Sequence, residues 1–364
     1  VGTACRRSDL RRLVETMHYI DVDTSKRISK IGLGTCQFGS REWGYGDRYA
    51  GQEARAIVRR ALELGVTLFD TAEIYGFEVT SVASQALRRG VAVTDTAKAS
   101  GFGRGEQILG QAIGESRESA FLATKFYPAV PAAPVVERHA VASASRLGAH
   151  RLDLYQVHQP GHLVPNGAIM DGIRALQRVG MVEEVGISNG SVDDWRAAED
   201  ALGDRVLSNQ VGYSLVARSA ERHVLPFAES HDRVVIAHSP LAQGLLSGKY
   251  TSANPPANPA RVTTPIFLPH NLERATNLIR ALREIADAHA ATPAQIALAW
   301  VIRRPAVAAI PGASSVEQLE SNVAAADIEL TDGEHDALQA ASAQFHPVAG
   351  PGPMSRGIRA LFGR

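Results

Sequence analysis

The sequence predicts an α/β fold, a single-domain (β/α)8 TIM barrel, and three observations support that prediction. Eight short apolar runs alternate with segments whose apolar residues recur at helical spacing. A doubly wound open sheet would show the same alternation, but no Gly-x-Gly-x-x-Gly motif follows the first run. Ionisable residues also stand at the ends of successive runs, where the active face of a barrel lies.

The apolar runs are short enough to be buried strands, and the segments between them read as amphipathic helices. Residues Glu53–Leu64 and Val135–Leu147 each place apolar side chains on one face. Residues 191–194 have the form of a capping box, and residues 292–295 combine a capping pattern with proline at the first helical position. The predicted strands are Ile31–Gly34, Val66–Phe69, Ala120–Ala123, Leu152–Val157, Val185–Ile187, Val206–Val211, Val234–Ala237 and Val307–Ile310.

Three parts of the chain depart from this rhythm. We interpret residues 1–16 as an unstructured or non-native extension, place the barrel at residues 17–344, and assign residues 345–364 to a tail. Residues Glu78–Ser100 form an extra segment in the loop after the second strand, with apolar residues at helical spacing. Residues Thr251–Pro269 are rich in proline, so we expect an extended, ordered loop there.

Composition excludes several classes of partner. The 364 residues contain 38 Lys plus Arg and 38 Asp plus Glu, a formal net charge of zero, whereas nucleic acids and anionic membranes attract a basic excess. No apolar run approaches the roughly 20 residues that cross a bilayer. The two cysteines, Cys5 and Cys36, match neither a metal site nor a disulfide framework. We expect a cytoplasmic protein without a bound metal, and the sequence predicts no particular oligomeric state.

Four ionisable residues follow three successive predicted strands. Asp70 closes the second strand, Tyr75 lies five residues later, Lys125 follows the third strand and His158 the fourth. Each has an ordinary structural explanation as well: a turn or helix cap for Asp70, a turn residue for Tyr75, a solvated strand end for Lys125, and a structural hydrogen bond for His158. Parallel strands of a barrel bring these positions to one face, so we interpret them as a set.

The set has complementary chemical tasks. A phenol has a pKa near 10, and a neighbouring ammonium stabilises its phenolate, so we expect Lys125 to lower the pKa of Tyr75. A buried lysine needs a counter-charge, which Asp70 supplies. An imidazole opposite the phenol can orient and polarise a carbonyl oxygen, as we expect of His158. No Ser-His-Asp motif or His-Glu-x-x-His zinc motif accompanies them.

Several segments resemble the aldo-keto reductases, in particular the bacterial members similar to the potassium-channel β subunits. The resemblance runs in the expected order from about Ser29 to Ala326. It implies a (β/α)8 barrel that binds NADPH without a Rossmann domain. The segments that carry it are Phe69–Gly76, Ala123–Phe126, Asp153–His158, Gly186–Asn189, Asn209–Ser214, Ser239–Tyr250 and Ile310–Asn322.

The resemblance implies a role for each matching residue. Tyr75 resembles the general acid, Lys125 and Asp70 its tuning pair, and His158 the histidine that faces the substrate. The implied activity is NADPH-dependent reduction of an aldehyde or ketone to an alcohol. The positions that resemble the NADP(H) site, with NADP(H) favoured over NAD(H), are Thr35, Cys36, Asp70, Ser188, Asn189, Gln210, His238, Ser239, Pro240, Leu241, Gly244, Leu245, Lys249, Arg261, Gly312, Ser314, Gln318 and Asn322.

The chain departs from the family pattern at several positions. His238 replaces the aromatic residue that usually stacks on the nicotinamide, and Cys36 replaces a frequent tryptophan. Near Ser314 the basic residue that many relatives place against the 2′-phosphate is absent, which leaves Lys249 and Arg261, together with Gln318, for that task. Ser321 replaces a common glutamate at the adenine.

The substrate side is less defined by sequence. Trp43, Tyr45 and Tyr127 lie on early loops of the same face, so we expect them to line a substrate pocket, with packing at the rim as the alternative. The extra segment Glu78–Ser100 would lie near Tyr75, as a lid or as a surface excursion without a role. The alternative function is an NADP(H)-binding regulatory or sensor module with little turnover. An isomerase or lyase on a barrel would show no nicotinamide dependence.

Overall fold

The computed structural model describes residues 17–39, 52–76, 102–128, 130–158, 167–262 and 264–348. Two short antiparallel strands precede eight parallel strands that pair in chain order. Parallel bridges from Ile31 to Ala309 and from Gly34 to Gly312 join the first parallel strand to the last and close the barrel. The strands are β1 Tyr19–Ile20, β2 Ile28–Ser29, β3 Leu33–Gly34, β4 Leu68–Asp70, β5 Phe121–Phe126, β6 Leu152–Val157, β7 Val182–Ser188, β8 Ser208–Gly212, β9 Val234–His238 and β10 Val307–Ala309. The (β/α)8 fold class is therefore confirmed.

Amphipathic helices surround the barrel and pack their apolar faces on its outer surface. Short 3-10 helices occur at Gly114–Ser119, Ser219–Arg222, Ala242–Ser247, Pro265–Phe267 and Ala324–Asp327. The α-helices are α1 Ala54–Glu63, α2 Arg104–Ile113, α3 Ala133–Leu147, α4 Gly167–Arg178, α5 Val192–Leu202, α6 Val224–Ser230, α7 Pro259–Val262, α8 Pro269–Arg274, α9 Thr276–Ala288, α10 Pro293–Ile302, α11 Val316–Val323 and α12 Asp332–Ala343. Among the described residues no helix has both the length and the apolar composition needed to cross a bilayer.

The β1–β2 hairpin covers the amino-terminal end of the barrel, and the sequence did not predict it. Ile20 and Ile28 join the apolar cluster that fills the barrel interior, with Phe121 and Leu154 among its members. On the connection between the two strands, the Lys26 ammonium lies 3.1 Å from a carboxylate oxygen of Asp153, at the start of β6, and donates to the carbonyl of Ala120. This end is closed, so the opposite end is left for a site.

Local capping signals in the sequence are confirmed. Ser191 and Asp194 form a capping box at the start of α5, and Thr292 and Gln295 form another at the start of α10. The proline-rich stretch 251–269 is not the extended loop that we expected, because it contains α7 and a 3-10 helix that begin at Pro259 and Pro265. Proline's fixed φ suits the first turn of a helix. Residues 1–16, 78–100 and 349–364 lie outside the described residues.

Candidate active site

An ion pair lies at the carboxyl-terminal end of the barrel. Asp70 is the last residue of β4, Lys125 lies near the end of β5, and both side chains are buried. The Lys125 ammonium lies 2.8 Å and 2.7 Å from the two Asp70 carboxylate oxygens, and it donates at 2.7 Å to the carbonyl of Thr71. The Gln210 amide donates to Asp70 Oδ2 at 2.7 Å, so β8 is linked to β4 across the barrel. The counter-charge expected from the sequence is present.

Tyr75 and His158 lie beside this ion pair. The Tyr75 ring meets the His158 ring edge-on, with centroids 6.2 Å apart, and the Lys125 Nζ lies 5.1 Å from the Tyr75 centroid. Both residues are half-buried, and both line a cavity. The fold therefore brings Asp70, Tyr75 and His158 together at one end of that cavity, and Lys125 is buried beside Asp70 without lining it.

The expectation that Lys125 lowers the pKa of Tyr75 is wrong. Burial raises the pKa of Tyr75 well above 10, and the Asp70 carboxylate and the Cys36 thiol raise it further. The main physical reason is burial, which disfavours the charged phenolate, and the Asp70 carboxylate adds to it by balancing the ammonium charge of Lys125. Tyr75 therefore carries its proton at neutral pH.

Two histidines face the same cavity as neutral imidazoles. Burial, helped by the charge of Lys125 and by His238, lowers the pKa of His158 to about 3. Burial and Lys125 lower the pKa of His238 to about 4. The Nδ1 of His158 is buried and has no hydrogen-bond partner among the described residues, whereas the His238 Nε2 lies 3.0 Å from Oδ1 of Asn189. A neutral imidazole can donate one hydrogen bond to a carbonyl without adding charge.

A cavity of about 680 Å³ extends from this group along the ends of the strands. Thr35 and Leu245 lie in the interior and do not line it, so the structure places these two predicted residues outside the site. The predicted residues that do line it are Asp70, Tyr75 and His158 at one end, and beyond them Cys36, Ser188, Asn189, Gln210, His238, Ser239, Pro240, Leu241, Gly244, Lys249, Arg261, Gly312, Ser314, Gln318 and Asn322.

The buried Thr35 has a structural task instead. Its hydroxyl and its backbone N–H both donate to the carbonyl of Asp70, at 2.8 Å and 2.9 Å. Within the described part of the chain, Tyr127 does not line the cavity, contrary to our expectation, and its N–H points to the Glu73 carboxylate at 2.8 Å. Trp43 and Tyr45 lie outside the described residues. A second cavity of about 590 Å³ lies on the outer surface between α5 and α6, and none of the predicted site residues lines it.

The backbone after β9 has an unusual conformation. Ser239, Ala242 and Gln243 have left-handed φ values of 53°, 47° and 56°, and Gly244 follows at 97°. Such values cost non-glycine residues roughly 1–3 kcal/mol each and concentrate at functional sites. A turn in which a residue of negative φ precedes a left-handed one, as Leu241 (φ −102°) precedes Ala242 here, also brings backbone N–H groups into a concave surface that suits anions. The segment forms part of the cavity wall, as a phosphate-binding segment would.

Two cations lie on the cavity wall beside this segment. Lys249 Nζ and the Arg261 guanidinium lie 4.9 Å and 6.0 Å from the centroid of the Tyr250 ring. Arg261 also donates to the carbonyl of Gln243 at 2.8 Å. The Gln318 carbonyl accepts from the hydroxyl of Ser314 at 2.7 Å. These groups make the cavity basic here, away from the acidic Asp70.

Some lining residues escaped the sequence analysis. Gln37 lines the cavity and donates to the carbonyl of Ala313 at 2.9 Å, and a Cβ on Gly312 would lie 2.9 Å from the Gln37 amide oxygen. Gln243 and Ser247 also line it. A glutamine three residues past a strand carries no distinguishing signal in one sequence. Gln243 lies within the segment 239–250 that resembles the family, but its left-handed backbone cannot be inferred from the sequence.

Fold and site together define a class of protein. A barrel that holds a protonated phenol, a neutral imidazole and a neutralised lysine at one end of a long, partly basic cavity can bind an extended anionic ligand and protonate a second one. Comparison with known proteins names the class. The chain matches the Aldo/keto reductase family over residues 30–343, and it belongs to that family. It is therefore an oxidoreductase.

Named relatives agree with this assignment. An uncharacterized oxidoreductase of Mycobacterium tuberculosis is 50% identical over 333 residues, which cover 92% of this chain and 95% of the relative. A methylglyoxal reductase of Escherichia coli is 29% identical over 303 residues, 80% of this chain and 87% of the relative. The crystal structure of an aldo/keto reductase from Klebsiella pneumoniae, in complex with NADP and acetate, matches with a TM-score of 0.67 and 27% identity, covering 91% of this chain and 96% of that one.

Proposed function

We propose that the protein reduces an aldehyde or ketone to an alcohol with NADPH and that Tyr75 is the general acid. The observation that carries this proposal is the grouping of Tyr75, His158, Lys125 and Asp70 at one end of the cavity. The named relatives point the same way, since one is a methylglyoxal reductase and one was solved with NADP. We propose the reducing cytoplasm as its location, because its two cysteines match no disulfide framework.

The cavity fits an extended dinucleotide in size and in chemistry. Its volume of about 680 Å³ lies within the usual range for ligand sites, roughly 300–1,000 Å³. The left-handed backbone around Gln243 would hold the pyrophosphate, and Lys249 and Arg261 would face the 2′-phosphate. Ser188 and Asn189 would bind the carboxamide, and His238 would lie against the nicotinamide ring.

When bound, NADPH supplies the hydride. His158, as a neutral imidazole, orients the substrate carbonyl with one N–H hydrogen bond. Tyr75 holds a proton at its hydroxyl and delivers it to the oxygen as that oxygen gains negative charge. The raised pKa does not prevent this step, because a developing alkoxide is a base comparable to hydroxide and therefore far stronger than the carbonyl oxygen it replaces. Lys125 and Asp70 stay paired and hold a fixed dipole beneath the phenol.

The alternative is a module that senses NADP(H) with little turnover. Both functions require cofactor binding, and only the reductase then transfers hydride to a carbonyl compound. Fluorescence titration with NADPH and NADH should therefore be followed by a panel of aldehydes and ketones that includes methylglyoxal. We expect tighter binding of NADPH than of NADH and oxidation of NADPH by at least one carbonyl compound. Tight binding of NADPH without oxidation in a single turnover by any member of the panel would support the sensor.

A further inference from the structure

We propose that Glu73 is a positioning residue for the reaction and that the hydrogen bonds of its side chain to Tyr127 and His139 hold the loop of Tyr75 in the reactive geometry. This inference rests on the proposed role of Tyr75 as the acid. Glu73 lies two residues before Tyr75, on the loop after β4, and its side chain is only 1% exposed. A carboxylate buried to that degree is costly unless both oxygens have partners.

Both oxygens of Glu73 have partners, and the partners lie on different elements. Oε1 accepts from the backbone N–H of Tyr127, just past β5, at 2.8 Å. Oε2 lies 2.7 Å from Nδ1 of His139, on α3. His139 is 32% exposed, so the pair reaches from the buried loop to the surface. The side chain therefore bridges the loop of Tyr75 to a strand and to a helix.

The backbone of Glu73 adds two more contacts. Its N–H donates to the carbonyl of Lys125 at 3.0 Å, and its carbonyl accepts from the N–H of Gly103 at 2.6 Å. Glu73 is therefore hydrogen-bonded to Lys125 through its backbone and to Tyr127, two positions further along the chain, through its side chain. Any displacement of Glu73 would thus change the position of Tyr75 relative to Lys125.

The Tyr75 backbone depends on the same arrangement. Its carbonyl accepts from the N–H of Gly105 at 3.1 Å, in the first turn of α2. A Cβ on Gly105 would lie 2.9 Å from the Cβ of Tyr75, so the helix start is packed against the acid. The loop is held between the β5 end and α2, and Glu73 supplies contacts to both.

The other charged side chains near Glu73 already have partners of their own, which leaves His139 as the side-chain partner of Glu73. Two other buried carboxylates in the region have partners of their own. Asp70 is paired with Lys125, and Glu106 is paired with Arg146 at 2.5 Å and accepts from the Thr124 hydroxyl at 2.6 Å. Within the described residues, the basic side chain that pairs with Glu73 is His139. The Tyr155 hydroxyl is buried near the Glu73 and Glu106 carboxylates, but it carries no charge at neutral pH, since burial and these carboxylates raise its pKa well above 10.

The test compares Glu73→Ala with Glu73→Gln in single-turnover NADPH oxidation, with the best carbonyl substrate of the panel. A displacement of about 1 Å can slow an enzyme by about 10². We expect a loss of that order in Glu73→Ala and a larger primary isotope effect with deuterated NADPH, while the Kd for NADPH stays within about twofold. Glu73→Gln should remain close to wild type, because its amide keeps both an acceptor for Tyr127 and a hydrogen bond to His139.

A matched control is Glu184→Ala, near the amino-terminal end of β7. Glu184 is a largely buried carboxylate that pairs with Arg205 at 2.6 Å, far along the barrel from Tyr75. It should lose stability without a change in the single-turnover rate. Should Glu73→Ala not fold, His139→Ala replaces it, since it removes one contact only, and we expect a smaller loss of rate.

The outcomes separate this inference from the proposed function. If Glu73→Ala reacts at the rate of Glu184→Ala, or if Glu73→Gln is as slow as Glu73→Ala, positioning by the hydrogen bonds of the Glu73 side chain is overturned. If His139→Ala is the variant measured, an unchanged rate overturns the role of the contact between Glu73 and His139. A Tyr75→Phe variant that keeps the wild-type rate would instead overturn the proposed function.

Discussion

Two regions of the cavity are built by different means. Around Asp70 and Lys125 the geometry comes from buried side chains that pair at 2.7–2.8 Å. After β9 it comes from the backbone, where residues 242 to 244 are all left-handed. The first region is held by the buried ion pair of Asp70 and Lys125. The second is held by backbone conformations that most residues avoid. A proton donor needs fixed side chains, whereas a long anionic ligand needs exposed backbone N–H groups.

The two regions should respond differently to substitution. Changes in the side-chain region should alter stability and turnover together, because a buried charge would lose its partner. Changes in the backbone region should alter cofactor affinity with a smaller effect on stability. The expected effects therefore decrease from the buried ion pair to the cations on the cavity wall.

Lys125→Met should have the largest effect on stability. It would leave the Asp70 carboxylate buried with Gln210 as a remaining donor, and breaking a buried pair costs about 3–5 kcal/mol of unfolding free energy. Urea denaturation measures this loss. The double variant Lys125→Met/Asp70→Leu should recover most of the stability but not the turnover. A single variant as stable as wild type would contradict the buried ion pair.

Acid should reveal the neutral histidines. The folded-state pKa of His158, about 3, lies below its ordinary value of 6.5, so the unfolded chain binds the proton first as pH falls. Stability should therefore decrease as pH falls from 6.5, and His158 alone should contribute about 2 kcal/mol of that decrease by pH 4.5. His158→Gln should show a shallower dependence in denaturation measured across this range. Identical slopes in the two proteins would contradict the depressed pKa.

Gly244→Ala tests the backbone region. The φ of 97° should cost an alanine roughly 1–2 kcal/mol, although its Cβ would meet only ordinary contacts with Tyr250 and Lys249. We expect weaker NADPH binding in fluorescence titration. Gly203→Ala is the matched control, since its φ is 72° at the end of α5 and nothing lies near its Cβ. It should lose similar stability and keep the NADPH affinity, and equal effects on binding in both variants would argue against a phosphate role.

Arg261→Ala should have the smallest effect and the most selective one. If Arg261 faces the 2′-phosphate, its loss should raise the Kd for NADPH about tenfold, which is about 1.4 kcal/mol, and leave the Kd for NADH unchanged. Arg280→Ala, on the exposed side of α9, is the control and should change neither. A parallel loss of NADH affinity would assign Arg261 to the shape of the segment and not to the phosphate.

The sequence predicted the fold where local signals and topology agree. Strand β6 has the predicted bounds, and the boxes at Ser191 and Thr292 cap their helices as expected. The β1–β2 hairpin was missed because two-residue strands leave no periodic pattern. The sequence did not predict the 3-10 and α-helical turns after Tyr250, because clustered prolines are typical of loops, although proline also begins helices.

The sequence predicted which residues lie at the site better than it predicted their pKa values. The positions of Asp70, Tyr75, Lys125 and His158 at strand ends were sufficient to group them. The direction of the Tyr75 pKa shift was mispredicted, because one sequence shows neither how deeply the phenol is buried nor that Asp70 offsets the charge of Lys125. The burial of Thr35 and Leu245 was likewise invisible, since neighbours along a loop can face opposite sides of the cavity wall.

The central claim is tested most directly by Tyr75→Phe in a stopped-flow single turnover, with the Kd for NADPH measured on the same sample. We predict a fall in the rate of NADPH oxidation of about 10²–10⁴, the usual contribution of a positioned acid, with the Kd unchanged. A rate within threefold of wild type, or a loss of NADPH binding in place of a loss of rate, would contradict the assignment of Tyr75 as the proton donor.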